Sequence, residues 1–185
     1  MLEETSNNDL ERNFVKKIFE LSKYFRHEDF YYKNIYDLIL REGKLYKSQP
    51  FTSEENKSVT KRIRSLNGTF APHQCFSNSG KLAMADHKGK IKYVEGFIFK
   101  EEIGIPILHA WNEINGKVID ITLINKYGEY TVGTFENDIS YIGVTFPTSY
   151  VRKIFCLKSR SLLDDVYGQW PILKNQFTSE YINAL

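Results

Sequence analysis

The sequence holds little cysteine: Cys75 and Cys156 are the only two in 185 residues. Two cysteines cannot make a disulfide framework, so the fold must rest on its core, and this usage points to the cytoplasm. Net charge is also scarce. Lys and Arg total 25 against 23 Asp and Glu, leaving +2. Proteins that wrap phosphate backbones carry a much stronger basic excess, so nucleic acid is not the expected partner. No segment approaches the roughly 18 uninterrupted apolar residues of a membrane-spanning helix. The polar, acidic stretch from Met1 to Asp9 has neither the basic start nor the apolar centre of a signal peptide. The last residues, Ile182 to Leu185, carry no lipidation signal. Repeats and Pro- or Ser-rich linkers are missing too. A soluble protein without a membrane partner is expected.

What remains is a globular composition, 42% hydrophobic and 26% charged. Aromatic residues reach 15%, which points to a large aromatic core or a ligand groove.

Apolar residues recur at helical spacing from Leu10 to about Arg41. Leu10, Phe14, Ile18, Leu21 and Phe25 form one stripe, with Asp9 as N-cap. A second run covers Phe30 to Leu40 and is stopped by Gly43. Ser53-Glu54-Glu55-Asn56 opens a third helix reaching about Leu66, with Asn67-Gly68 as its stop. Its Lys57, Lys61, Arg62 and Arg64 read as a solvated face. A short helix follows from Cys75 to about Asp86. Five strands are then predicted, over Ile91–Phe99, Ile105–Ile114, Lys117–Ile124, Tyr130–Phe135 and Ile139–Phe146. Their short turns require antiparallel pairing. A last helix is expected over Ser149–Leu157, and the tail around Trp170-Pro171 is expected to pack back on the surface. The fold class is α+β, one compact domain in which an N-terminal helical segment over 1–68 packs on a core over 69–185.

Asn115-Gly116 is a strong hairpin signal, because both central positions of a type I′ turn need positive φ. With these two in the loop, Ile114 faces Lys117, Trp111 faces Asp120 and Ala110 faces Ile121. Alternation then places His109, Trp111, Asp120 and Thr122 on one, polar face. Leu108, Ala110, Ile114, Ile119, Ile121 and Leu123 take the other, buried one. His109 and Asp120 become diagonal neighbours, their backbones roughly 7–8 Å apart. Cys75 follows the turn-like Ala71-Pro72-His73-Gln74 and starts a helix, whose unpaired N–H groups and positive dipole end favour a thiolate. A thiol, an imidazole and a carboxylate that fixes the tautomer make the logic of a cysteine hydrolase or transferase. On that logic the Asp120 carboxylate should bond Nδ1 of His109. The Cys75 N–H and the Gln74 side chain are candidates for binding an oxyanion.

These residues resemble the papain-like, transglutaminase-like superfamily of cysteine enzymes. The matching runs are Cys75-Phe76-Ser77-Asn78, His109-Ala110-Trp111 and Asp120-Ile121-Thr122. Together with Tyr93-Val94-Glu95-Gly96 and Tyr141-Ile142-Gly143-Val144, the set is similar to a group of small bacterial and phage proteins. The resemblance covers about Gln74 to Phe146. It implies a Cys-bearing helix packed on an antiparallel sheet and a Cys75–His109–Asp120 triad but fixes no substrate, for which a protein or peptide is the expectation. It leaves open proteolysis, isopeptide cleavage, deamidation and acyl transfer.

Each residue also has a plainer reading. Cys156 is expected as core filler. Trp111 either walls the cleft or packs the core, and Asn78 either lines the site or bonds a neighbouring loop. Glu95 is read at a sheet edge, His27 and His87 on the surface, and Tyr141 to Val144 as a strand with a close-approach glycine. His73, Cys75, His109 and Asp120 are all zinc-competent, but no ligand spacing supports a metal, and no cofactor is expected. Tyr24, Phe30, Tyr31, Tyr32 and Tyr36 of the N-terminal helices either cover the back of the sheet or form a lid or docking face. The expected function is a cysteine-dependent hydrolase or acyl transferase. The alternative is a catalytically inactive interaction protein on the same fold, a phage or bacterial factor directed at a host protein.

Overall fold

The computed structural model describes residues 9–66, 69–124, 130–155, 161–165 and 168–177. Cys156 and the Asn67-Gly68 stop lie outside them. In chain order the elements are α1 (Asp9–Leu21), α2 (Ile35–Glu42), β1 (Lys44–Tyr46), α3 (Ser53–Ser65), α4 (Cys75–Ala85), β2 (Lys92–Lys100), β3 (Pro106–Ile114), β4 (Lys117–Ile124), β5 (Tyr130–Gly133), β6 (Ile139–Phe146), α5 (Thr148–Phe155) and α6 (Pro171–Lys174). The class is α+β. Among the described residues no helix is long and apolar enough to cross a membrane.

The strands form one antiparallel sheet in the order β1-β6-β2-β3-β4-β5. β1 is an addition to the expected five: three residues on β6 are too few to show a period. The sheet curls until its ends meet. The Gln49 N–H, just past β1, donates to the Gly133 carbonyl of β5 at 3.0 Å. One side of the sheet is covered by helices. Phe14, Ile18, Leu38 and Ile39 share a buried cluster with Phe97, Ile142 and Phe146 of the sheet. The inner side of the curl holds a second cluster of Tyr46, Val94, Ile98, Trp111, Val118 and Tyr141.

The helix ends follow local chemistry. Asn34 caps α2 by accepting the Asp37 N–H at 2.9 Å. Thr52 and Glu55 cap α3 reciprocally, each side chain taking the other's backbone N–H. Two expectations about the first helices change. α1 stops at Leu21, and Phe25 leaves the apolar stripe entirely: it has φ 51° and is 92% exposed. Phe30 to Lys33 precede α2 as bends, because the Asn34 cap starts the helix at Ile35. Gly43 does end α2, in extended rather than left-handed conformation. A Cβ there would run into the Ile39 carbonyl that its N–H bonds.

The β3–β4 hairpin has the expected turn and register. Asn115 and Gly116 have φ of 52° and 77°, and Ile114 pairs with Lys117. The facing residues need correction, since neither face is polar. The His109 face is the one that carries Trp111 and Val118 into the inner cluster. β4 is irregular after Asp120, where its register on β5 shifts. This breaks the alternation, so Leu123 packs with the inner cluster instead of with Ile119 and Ile121. The tail also goes deeper than the surface, since Ile172 and Leu173 are buried against the helices.

Candidate active site

α4 sets the position of Cys75. Gln74 occupies its N-cap position without any side-chain cap, so the N–H groups of the first turn are left for other acceptors. The approach is tight, since His73 has φ 59°. Two polar contacts fix α4 to β3: Ser79 Oγ donates to the Ala110 carbonyl at 3.0 Å, and Asn112 Nδ2 donates to the Ser79 carbonyl at 2.9 Å. Asn78, on the first turn, donates through Nδ2 to the Ala71 carbonyl at 2.8 Å and to Thr122 Oγ1 at 3.0 Å. Its Oδ1 accepts the Ala71 N–H at 3.1 Å. Asn78 therefore ties the Cys75 turn to its entry loop and to β4, and is itself buried.

The β3–β4 ladder runs from Ile114–Lys117 to Asn112–Ile119, short of His109 and Asp120. Past its end, the N–H groups of Thr122 and Leu123 turn to the Asp120 side chain, each donating to Oδ1 at 2.9 Å. The other oxygen, Oδ2, lies 2.6 Å from His109 Nε2 and accepts the Tyr141 hydroxyl at 3.1 Å. Asp120 is fully buried, with both oxygens engaged. The contact through Nε2 corrects the expected Nδ1 pairing. It leaves Nδ1 as the ring nitrogen that Asp120 does not engage, and the nearby Cys75 sulfur also favours the charged ring.

Electrostatics sharpen this arrangement. Burial alone would drive the proton off His109, but the Asp120 carboxylate and the Cys75 sulfur outweigh it and push the ring's pKa up to about 10. Burial likewise opposes ionisation of Asp120. The His109 charge and the two N–H donors prevail, so the carboxyl titrates below its ordinary value. The ring is thus an imidazolium across the neutral range. Cys75 itself is half-buried and free.

The other expected residues fall out as follows. Trp111 is fully buried and does not line a cleft. It stacks behind His109, ring centroids 6.3 Å apart and 16° from parallel, and its other edges meet Tyr46 and Tyr141. Gly143 is the close-approach glycine, since a Cβ there would sit 2.6 Å from the indole. Gln74 is exposed. Glu95 is not at an edge: it lies in β2, between β3 and β6, and is fully buried. His27 is half-buried and stacked on Phe30, 4.4 Å between centroids, while His87 is exposed. Among the described residues no three His, Cys, Asp or Glu side chains converge as a metal-ligand set.

Tyr141 was not identifiable from sequence. It lies three places from β4 in the sheet order, about 14 Å away if the sheet were flat. Only the curl brings its hydroxyl to Asp120. Comparison with protein-family models, with curated proteins and with solved structures finds no match to this chain.

Proposed function

We propose that the chain is a cysteine-dependent hydrolase or acyl transferase acting on an amide, whether peptide, isopeptide or glutamine side chain, on a papain-like, transglutaminase-like core. The observation that carries this reading is the buried His109 ring, held by Asp120 through Nε2 at 2.6 Å and raised in pKa by both Asp120 and the Cys75 sulfur. In this reading His109 is the base that takes the proton of Cys75. Cys75 Sγ attacks the carbonyl carbon, and the oxyanion forms against the N–H groups that begin α4. His109 passes its proton to the departing amine, leaving a thioester on Cys75. The ring, now neutral, takes a proton from water or an acceptor amine as that nucleophile attacks the thioester, and Cys75 leaves as thiolate. Asp120 and Tyr141 are positioning residues that keep the ring charged and aimed.

Iodoacetamide labelling of the native protein, read by peptide mass spectrometry, tests this. Cys75 is expected to label far faster than Cys156 at pH 6–7, and His109→Ala should slow it about tenfold or more. Slow labelling of Cys75, unchanged by His109→Ala, would favour a non-catalytic interaction protein.

A further inference from the structure

Two neighbouring residues of α4 seat it on the two strands that carry the imidazole and the carboxylate. Ser79 Oγ donates to the carbonyl of Ala110, the residue after His109 on β3. Asn78 Nδ2 donates at 3.0 Å to Oγ1 of Thr122, two residues past Asp120 on β4. The β3–β4 ladder has ended by then, at Asn112–Ile119, and the register of β4 on β5 shifts after Asp120. Ladder pairing with β3 therefore does not fix where Thr122 lies, and side-chain bonds take over. Thr122 makes one in each direction: its hydroxyl accepts from Asn78, and its N–H donates to Asp120 Oδ1 at 2.9 Å.

Asn78 is fully engaged in this arrangement. It is 1% exposed, and its Nδ2 reaches both the Ala71 carbonyl and Thr122 while Oδ1 takes the Ala71 N–H. Asparagine is a poor residue for a helix interior, because its amide competes for nearby backbone groups. Here that habit has a use. A side chain from inside the helix holds both polar groups of Ala71, three residues ahead of the uncapped Gln74 position. The entry loop is thus fastened without a cap side chain occupying the first-turn N–H groups. A bonded path runs from Ala71 through Asn78 and Thr122 to Asp120, and from its Oδ2 to His109 Nε2 at 2.6 Å.

Resting on the reading of Cys75 as nucleophile, we propose that Asn78 and Thr122 are positioning residues whose hydrogen bond sets the Cys75 turn against His109 and Asp120. The grip of Asn78 on Ala71 keeps the start of α4 open to an oxyanion. Neither side chain need touch substrate. Misplacing a reacting group by about 1 Å can cost about 10²-fold in rate, so a bond that fixes two elements acts on catalysis from outside the chemistry.

The test is the rate of Cys75 acetylation by an activated acetyl ester in wild type, Asn78→Ala, Thr122→Val, Thr122→Ser, His109→Ala and the double variant Thr122→Val/His109→Ala. Asn78→Ala should slow it about 10²-fold and Thr122→Val about tenfold. Thr122→Ser, which keeps the hydroxyl, should restore most of the rate. Thr122→Val should add little once His109 is alanine, because the hydroxyl acts through the alignment of that ring. Two results would overturn this inference and leave the triad standing, provided His109→Ala still slows the reaction. One is Thr122→Val reacting as fast as wild type, and the other is Thr122→Val slowing both backgrounds equally. No effect of His109→Ala would remove the triad itself, and this inference with it. Thr122→Val preserves the shape of the side chain, so the question can be answered even if Asn78→Ala does not fold.

Discussion

Asp120 and Glu95 are both carboxylates with no exposed surface, and they are driven in opposite directions. Each accepts two backbone N–H groups and a tyrosine hydroxyl. The fourth partner differs: an imidazolium for Asp120, a serine hydroxyl for Glu95. With the cation, the carboxyl titrates below its ordinary value; without it, burial wins over every hydrogen bond and the carboxyl titrates above. Dipoles satisfy a buried carboxylate, but only a charge holds it ionised against desolvation.

Matched isosteres should separate the two most widely. Asp120→Asn leaves a buried imidazolium without its counter-charge and should cost about 3–5 kcal/mol in urea unfolding. Glu95→Gln replaces a carboxyl that has no cation and should cost about 1–3 kcal/mol, from mismatched donors. Equal costs would erase the distinction.

The pH dependence of stability sharpens it further. Asp120 has a depressed folded pKa, so its contribution is present above the ordinary carboxylate range and lost on acidification. Glu95, raised, contributes in the opposite sense: its stabilisation is present at low pH and lost as pH rises through its folded value. His109 is also raised, so its contribution is complete below about 6.5 and lost as pH rises through about 10. Urea midpoints at pH 6, 8 and 10 should fall on the alkaline side in wild type and fall less in His109→Gln. A parallel decline in both would place the loss elsewhere.

The smallest effect belongs to a carboxylate at a helix start, largely covered by its partners. Glu55 joins Lys117, Asn115 and the Thr52 N–H at the start of α3, and these hold its pKa down to about 2. Its stabilisation is present above about 4.5 and lost as pH falls towards about 2. Glu55→Gln should therefore flatten the acid limb of the urea midpoint between those values. An unchanged limb would show that the cap and ion pair are dispensable.

What was legible in the sequence is what local chemistry decides. Asn115-Gly116 permits one turn geometry, and that turn fixed the register which brings His109 towards Asp120. The helix start at Cys75 was equally readable, because a turn-like stretch gives way there to helical spacing. Face and environment were not. Reading one hairpin face as polar assumed a sheet with one wet side, whereas the curl buries both. Leu123 changed sides because the irregularity after Asp120 leaves no mark in residue type. Glu95 looked like an edge residue because strand order, which places β2 between β3 and β6, is a non-local property. Tyr141 and the Nε2 contact depend on that same curvature.

The central claim is tested most directly by trapping the covalent intermediate. Incubation with an activated acetyl ester, followed at once by intact and peptide mass measurement, should show one acetyl group, on Cys75. His109→Ala should reduce its rate of formation about 10²-fold or more, and Asp120→Asn should reduce it strongly as well. Acetylation spread over lysines, with Cys75 unmodified or modified equally fast in all three proteins, would contradict the account.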